Sequence, residues 1–105
     1  MSDIKIKKIE NGWIIKVHNH IFFIKYSTRK GKKYDVYELY TIGKDIHLPY
    51  ILSFGASKYQ HYFDKLGGYD ELNHNDEKRL KKYYARFGHT DNIYSAKWFS
   101  NNLLW

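Results

Sequence analysis

The chain has 105 residues, and its 18 Lys and Arg against 11 Asp and Glu give a formal net charge of +7. It contains no Cys, which excludes disulfides and thiolate metal sites. The start Met1-Ser2-Asp3-Ile4-Lys5 has no apolar signal region, and no apolar run approaches the roughly 20 residues that span a bilayer, so neither signal-peptide secretion nor membrane insertion is expected.

Residues 3–9 alternate Ile4, Ile6 and Ile9 with lysines, the pattern of a half-buried strand. Asn11-Gly12 is a strong hairpin signal, because both residues tolerate positive φ, and residues 13–18 return as a second strand. Residues 21–26 are β-branched and aromatic and predict a third strand, behind so weak a break at Asn19-His20 that one long bent strand is an alternative. The basic loop Arg29-Lys30-Gly31-Lys32-Lys33 leads to a fourth strand over residues 34–41. These strands predict an antiparallel meander. Gly43-Lys44-Asp45 turns the chain, and Pro49 forces Leu48 to be extended.

Beyond this point the β-branched residues thin out. Ser57 with Gln60 fits a capping box, and Tyr59, Tyr62, Phe63 and Leu66 follow at helical spacing, predicting a helix that Gly67-Gly68 ends. Asn75 is the expected cap of a second helix, with Asp76 and Glu77 at its positive end, an apolar stripe of Leu80, Tyr83, Tyr84 and Phe87, and a stop at Gly88. Residues 89–97 read as irregular, and residues 98–105 as a short apolar tail, helical or extended. The expected fold is a single α+β domain, residues 1–105: an antiparallel sheet of about four strands (residues 3–41) covered by two helices and an aromatic C-terminal tail. With 11 Tyr, 6 Phe and 3 Trp, aromatic packing can supply much of the core.

Lys78, Lys82 and Arg86 are spaced by four and line one face of the second helix, with Arg79 beside them. Such a row can follow a phosphate backbone and gain from released counterions. Arg29, Lys30, Lys32 and Lys33 form a second cluster that can assist if it shares a side of the fold. Tyr59, Tyr62, Phe63, Trp98, Phe99 and Trp105 are candidates for base stacking, although most are needed in the core. His18 and His20 have strand spacing for a metal pair, but no neighbouring Cys or acidic residue completes a ligand set, so no metal and no cofactor is expected. No nucleophile elbow surrounds Ser53, Ser57, Ser95 or Ser100, no phosphate-cradling glycine loop is present, and His74 with Asp76 fits helix capping better than acid–base chemistry, so no catalytic residues and no enzymatic role are expected.

Three elements carry a resemblance. They are Phe54-Gly55-Ala56 with Tyr59; His74, Asp76, Arg79, Tyr83 and Arg86; and Ala96, Trp98, Phe99, Ser100, Leu103, Leu104 and Trp105. Residues 53–105 thereby resemble an uncharacterised family of small basic proteins encoded by giant nucleocytoplasmic DNA viruses. The chain departs from that family's pattern at Phe87, where His is usual, at Asn101-Asn102, where Arg or Trp is usual, and in an apparent insertion over residues 64–72. The resemblance implies a viral protein in the virion or in the cytoplasm or nucleus of the infected cell. It implies no activity. Within it, Gly55 permits a tight turn, Asp76 starts the helix, Arg79 and Arg86 project, and the tail aromatics close the core.

Together these features predict a non-enzymatic protein that binds nucleic acid, or helps package it, through the basic helix and the basic loop. The partner expected is nucleic acid or another acidic partner. One alternative is a minor capsid or virion scaffold protein that docks its tail and sheet edge on acidic or apolar surfaces of larger capsid proteins. A further alternative is an inhibitor of a host defence factor.

Overall fold

Alternating apolar residues build the sheet, and one aromatic helix covers it. The computed structural model describes residues 4–105, so Asp3, expected to open the first strand, lies outside the described residues. Strand β1 (Ile4–Ile9) pairs antiparallel with β2 (Gly12–Val17), Ile4 opposite Val17 and Ile9 opposite Gly12. The two turn residues are therefore Glu10 and Asn11, one position earlier than the Asn-Gly signal suggests. Gly12 belongs to the strand, where a Cβ would run into the carbonyl of Ile24, so close backbone approach rather than turn geometry requires glycine there.

A tight turn at His18-Asn19, with His18 at φ 54°, separates β2 from β3 (His20–Tyr26), which makes them two strands and not one bent strand. Strand β4 (Lys32–Ile42) pairs with β3, Tyr26 opposite Tyr34 and Ile21 opposite Leu39. Two short strands, β5 (Asp45–His47) and β6 (Tyr50–Ala56), share the other edge of β4. Tyr40 faces His47 and Tyr37 faces Tyr50 in one register, and Glu38 N–H donates to the Pro49 carbonyl at 3.1 Å. The two are one return strand broken where proline has no N–H to give. A bulge between Val36 and Tyr37 then sets Leu52 opposite Val36 and Phe54 opposite Tyr34. The sheet thus extends to residue 56, beyond the four strands expected over residues 3–41, and the architecture is α+β as expected.

Trp13, Ile15, Val17, Phe22, Ile24, Tyr34, Val36 and Phe54 form the buried core of the sheet. The apolar tail folds as α2 (Ala96–Leu103), whose N-cap Ser95 accepts from Trp98 N–H. Trp98, Phe99, Leu103 and Leu104 complete the core, with Phe99 edge-on to Phe22 at 5.3 Å and stacked on Phe54 at 5.5 Å.

The helix expected over residues 57–66 does not form. Its backbone N–H groups find partners far along the chain instead. Phe63 and Lys65 donate to the carbonyls of Leu104 and Leu103, capping the end of α2, and Ser57 donates to Gly31. Asp64, only 1% exposed, is the hub of this segment. Its carboxylate accepts from Tyr34 Oη at 2.5 Å, Leu66 N at 2.9 Å and Tyr69 N at 3.0 Å. A single 3-10 turn (Asp70–Leu72) follows, then α1 (Glu77–Phe87). Among the described residues no helix is long and apolar enough to cross a membrane.

Candidate nucleic-acid interface

Helix α1 starts at Asp76, whose side chain accepts from Lys78 N and Arg79 N. Asp76 is therefore the cap, while Asn75, the residue expected there, stands outside at φ 53°. All of α1 is described and none of it is fully buried. Two tyrosines fasten it to α2: Tyr83 Oη donates to Asn101 Oδ1 at 2.8 Å, and Tyr84 Oη donates to the Asn101 carbonyl at 3.0 Å. Tyr83 also lies flat on Trp105, centroids 4.3 Å apart and rings 4° from parallel, and burial pushes its phenol up to about 12. With its packed side spent on these contacts, the helix leaves Lys78, Arg79, Lys82 and Arg86 exposed. Among the described residues none of the four forms an ion pair with a carboxylate.

Three depressions adjoin one another beside this helix. The largest, about 630 Å³, lies between α1, α2 and the end of β6, and is lined by Lys32, Lys33, Arg86 and Lys97 with Tyr59, Gln60, Phe87 and Trp105. A second, about 280 Å³, shares Gln60, Tyr83, Arg86, Phe87 and Trp105 with it and adds Arg79 and Lys82. A third, about 370 Å³, shares Ala56 and Tyr59 and adds Lys30 and Lys58. Eight cationic side chains therefore line these adjoining depressions, which together form the groove, and among the described residues no Asp or Glu lines it. Like charges along a concave wall focus a positive potential there.

This arrangement joins the loop and helix clusters, with three corrections to the expected contacts. Arg29 is turned away: its Nη1 donates to the buried Asp35 at 3.0 Å, and its guanidinium lies 3.7 Å from the centre of the Tyr50 ring. Burial alone would raise the Asp35 carboxyl, but the hydroxyls of Ser27 and Ser53 and the charge of Arg29 hold it below its ordinary value. Lys33 is 2% exposed, and its Nζ donates to the carbonyls of Ala56 at 2.6 Å and Tyr59 at 2.7 Å, so it lies in the groove floor rather than on an outer surface. Lys78 is exposed but lines none of the three depressions. Lys58, Gln60, Phe87 and Lys97 complete the groove and were not expected as contacts. Lys97 carried a readable signal, since a lysine in the first turn of a helix opposes the helix dipole.

The motif residues frame this groove. Phe54 is core, and Gly55, at φ 78°, sits where a Cβ would come within 3.0 Å of Leu104 Cδ1 and Lys33 Cδ. Ala56 and Tyr59 supply the carbonyls that Lys33 binds. Trp98 and Phe99 are core, and Trp105 is held between Tyr83 and His74. His74 Nδ1 accepts from Asp76 N at 2.9 Å, behind the helix cap.

Beneath the groove His61 is 1% exposed, with Nε2 2.6 Å from Asn73 Oδ1. That oxygen also accepts from Asp64 N at 2.8 Å, so Nε2 carries the proton and Nδ1 is a buried lone pair without a partner among the described residues. Burial, with Lys33 and His74 nearby, lowers the affinity of His61 for a proton, and burial does the same for His74. The unfolded chain takes up protons near the ordinary histidine value, about 6.5, before the native state does. Stability from this source is complete above that value and is lost as pH falls below it. The thermal unfolding midpoint is expected to drop between about pH 7 and about pH 5, and less so in His61→Gln. An identical drop in the variant would remove His61 from the explanation.

His20 does not pair with His18: its Nδ1 lies 3.1 Å from Glu38 Oε2, and Tyr94 Oη donates to the same oxygen at 3.0 Å, pinning the loop before α2 to the sheet. Among the described residues no group of three or more His, Asp or Glu is arranged to hold a metal ion. The chain is thus an antiparallel sheet under an aromatic helix, with a cationic groove along one side. Comparison with protein-family models, with curated proteins and with solved structures finds no match for it.

Proposed function

We propose that this is a non-enzymatic, virus-encoded protein that binds nucleic acid, or helps package it, in the cationic groove. One observation carries the reading: seven exposed Lys and Arg side chains, with the buried Lys33 beneath them, line adjoining depressions whose described lining contains no carboxylate. A solvated basic face has no reason to exclude acidic neighbours so completely, because interspersed charges keep a surface soluble at lower self-repulsion. Phosphate binding is favoured by that exclusion, because a carboxylate beside the cations would repel the phosphates. The viral origin rests on the sequence pattern of residues 53–105 alone.

The test is fluorescence anisotropy of a labelled oligonucleotide across a salt series. Binding is expected at low salt, weakening as salt rises, and each groove cation removed (Arg86→Gln, Lys97→Gln) is expected to reduce the log–log slope by about 0.7–0.9. Lys5→Gln, on β1 and outside the groove, is the control. Absence of binding at low salt, or equal slopes for groove and control variants, would end the proposal.

A second reading, a minor capsid or scaffold protein, is favoured by the β4–β5 hairpin tip, where Ile42 and Ile46 are 61% and 72% exposed. An assembly that persists at high salt and is lost in Ile46→Lys would speak for it.

A further inference from the structure

The groove contains two features that phosphate binding alone leaves unexplained. Tyr59 is 74% exposed and Phe87 is 47% exposed. Each stands where two depressions meet, Tyr59 between the large one and the one bearing Lys58, Phe87 between the large one and the one bearing Arg79. Water contact is unfavourable for rings of this size, and small domains normally use them in the core.

Trp98 and Phe99 are buried, and Trp105 has one face covered by Tyr83. Phe87 packs one side against Tyr83, centroids 5.0 Å apart, and is half exposed to the groove. Tyr59 has no ring packed against it among the described residues, yet its backbone is held at both ends: its N–H donates to Ala56 O at 3.2 Å and its carbonyl accepts from Lys33. A ring with a free face on an anchored backbone suits a stacking platform, because the chain that carries it is already ordered before binding.

Resting on the nucleic-acid reading above, we infer that the ligand is a single-stranded nucleic acid, bound with its backbone along the groove cations and unpaired bases stacked on Tyr59 and Phe87. In a duplex each base face is covered by its neighbours, and a ring set in a concavity cannot reach it. In a single strand the faces are free, and stacking on aromatic side chains is tolerant of sequence. Electrostatics alone makes the opposite forecast, since the duplex carries the denser charge and attracts cations more strongly. A preference for single strands therefore requires a contribution that charge does not supply.

The experiment measures anisotropy of labelled oligothymidylate, oligouridylate and a duplex of equal length, with wild type, Tyr59→Ala, Tyr59→Phe, Phe87→Ala and Arg86→Gln. Both single strands are expected to bind more tightly than the duplex. Each alanine is expected to weaken single-strand binding about tenfold and to leave duplex binding unchanged, while Tyr59→Phe retains wild-type affinity. The Tyr59 ring is exposed and packs against no other ring among the described residues, so thermal unfolding of Tyr59→Ala should match wild type, and Phe87→Ala, which also loses a contact with Tyr83, is measured well below its own unfolding midpoint. If duplex and single strand bind alike, and only Arg86→Gln has an effect, the stacking inference falls and the groove reading stands. If no nucleic acid binds, both fall.

Discussion

Replacing Asp64 by alanine is expected to destabilise the protein by about 3–5 kcal/mol, enough to unfold much of a domain this small. The carboxylate is 1% exposed and accepts three hydrogen bonds, one from the buried Tyr34 hydroxyl and two from the backbone N–H groups of Leu66 and Tyr69. Alanine removes the acceptor and leaves two buried donors and one half-buried donor without partners, each buried one carrying a desolvation penalty of about 1–3 kcal/mol before relaxation. The effect extends beyond local packing. Tyr34 lies against Phe54 and Trp13, so the hydrogen bond joins the irregular segment to the sheet core. Burial and Asp64 together push the Tyr34 phenol strongly up, so it remains a donor at any ordinary pH. Urea unfolding should show the loss in the midpoint with an unchanged slope. The exposed Asp91→Ala should change stability by no more than about 0.5 kcal/mol. If Asp64→Ala were as mild, the hub would be a bystander.

Asp64 also marks the limit of what local sequence pattern carries. The first four strands were legible because period-two alternation is local, as in Trp13, Ile15 and Val17. The last two were not. Pro49 hides the continuity of β5 and β6, which is visible only in their shared register on β4. Ser57 and Gln60, with Tyr59, Tyr62, Phe63 and Leu66, satisfy every local rule for a helix, but the N–H groups of Phe63 and Lys65 are claimed by Leu104 and Leu103. Tertiary pairing of that kind overrides propensity and leaves no trace in a short window.

The candidate site follows the same division. The i, i+4 row on α1 was readable from spacing, and its neutralisation by carboxylates is absent among the described residues. The departure of Arg29 and Lys33 was not readable. Both belong to a run that looks uniformly solvated, yet one binds a buried carboxylate 6 residues on and the other two carbonyls 23 and 26 residues on. Asn101, a departure from the viral pattern, is the clamp between the helices, accepting from Tyr83 and donating through Nδ2 to the Gly88 carbonyl at 3.1 Å.

Lys33→Met is expected to cost about 2–4 kcal/mol and, unlike Asp64→Ala, to act on the groove directly. Methionine keeps most of the aliphatic stem, which packs against Gly55, and so isolates the ammonium group. That group is the shared donor to Ala56, at the end of β6, and Tyr59, in the irregular segment that follows it. Burial lowers its affinity for a proton while Asp64 opposes that shift, and the two hydrogen bonds offset part of the cost of burying the group. Without them the segment bearing Tyr59 loses its mount. Single-strand affinity should then fall further than in Lys32→Gln, which removes an exposed charge from the same wall and leaves the mount intact. Paired urea unfolding and anisotropy on both variants separate the two contributions. Equal binding losses would make Lys33 one more cation. A larger loss in Lys33→Met, persisting well below its unfolding midpoint, would make it the residue that turns a loop into a binding surface.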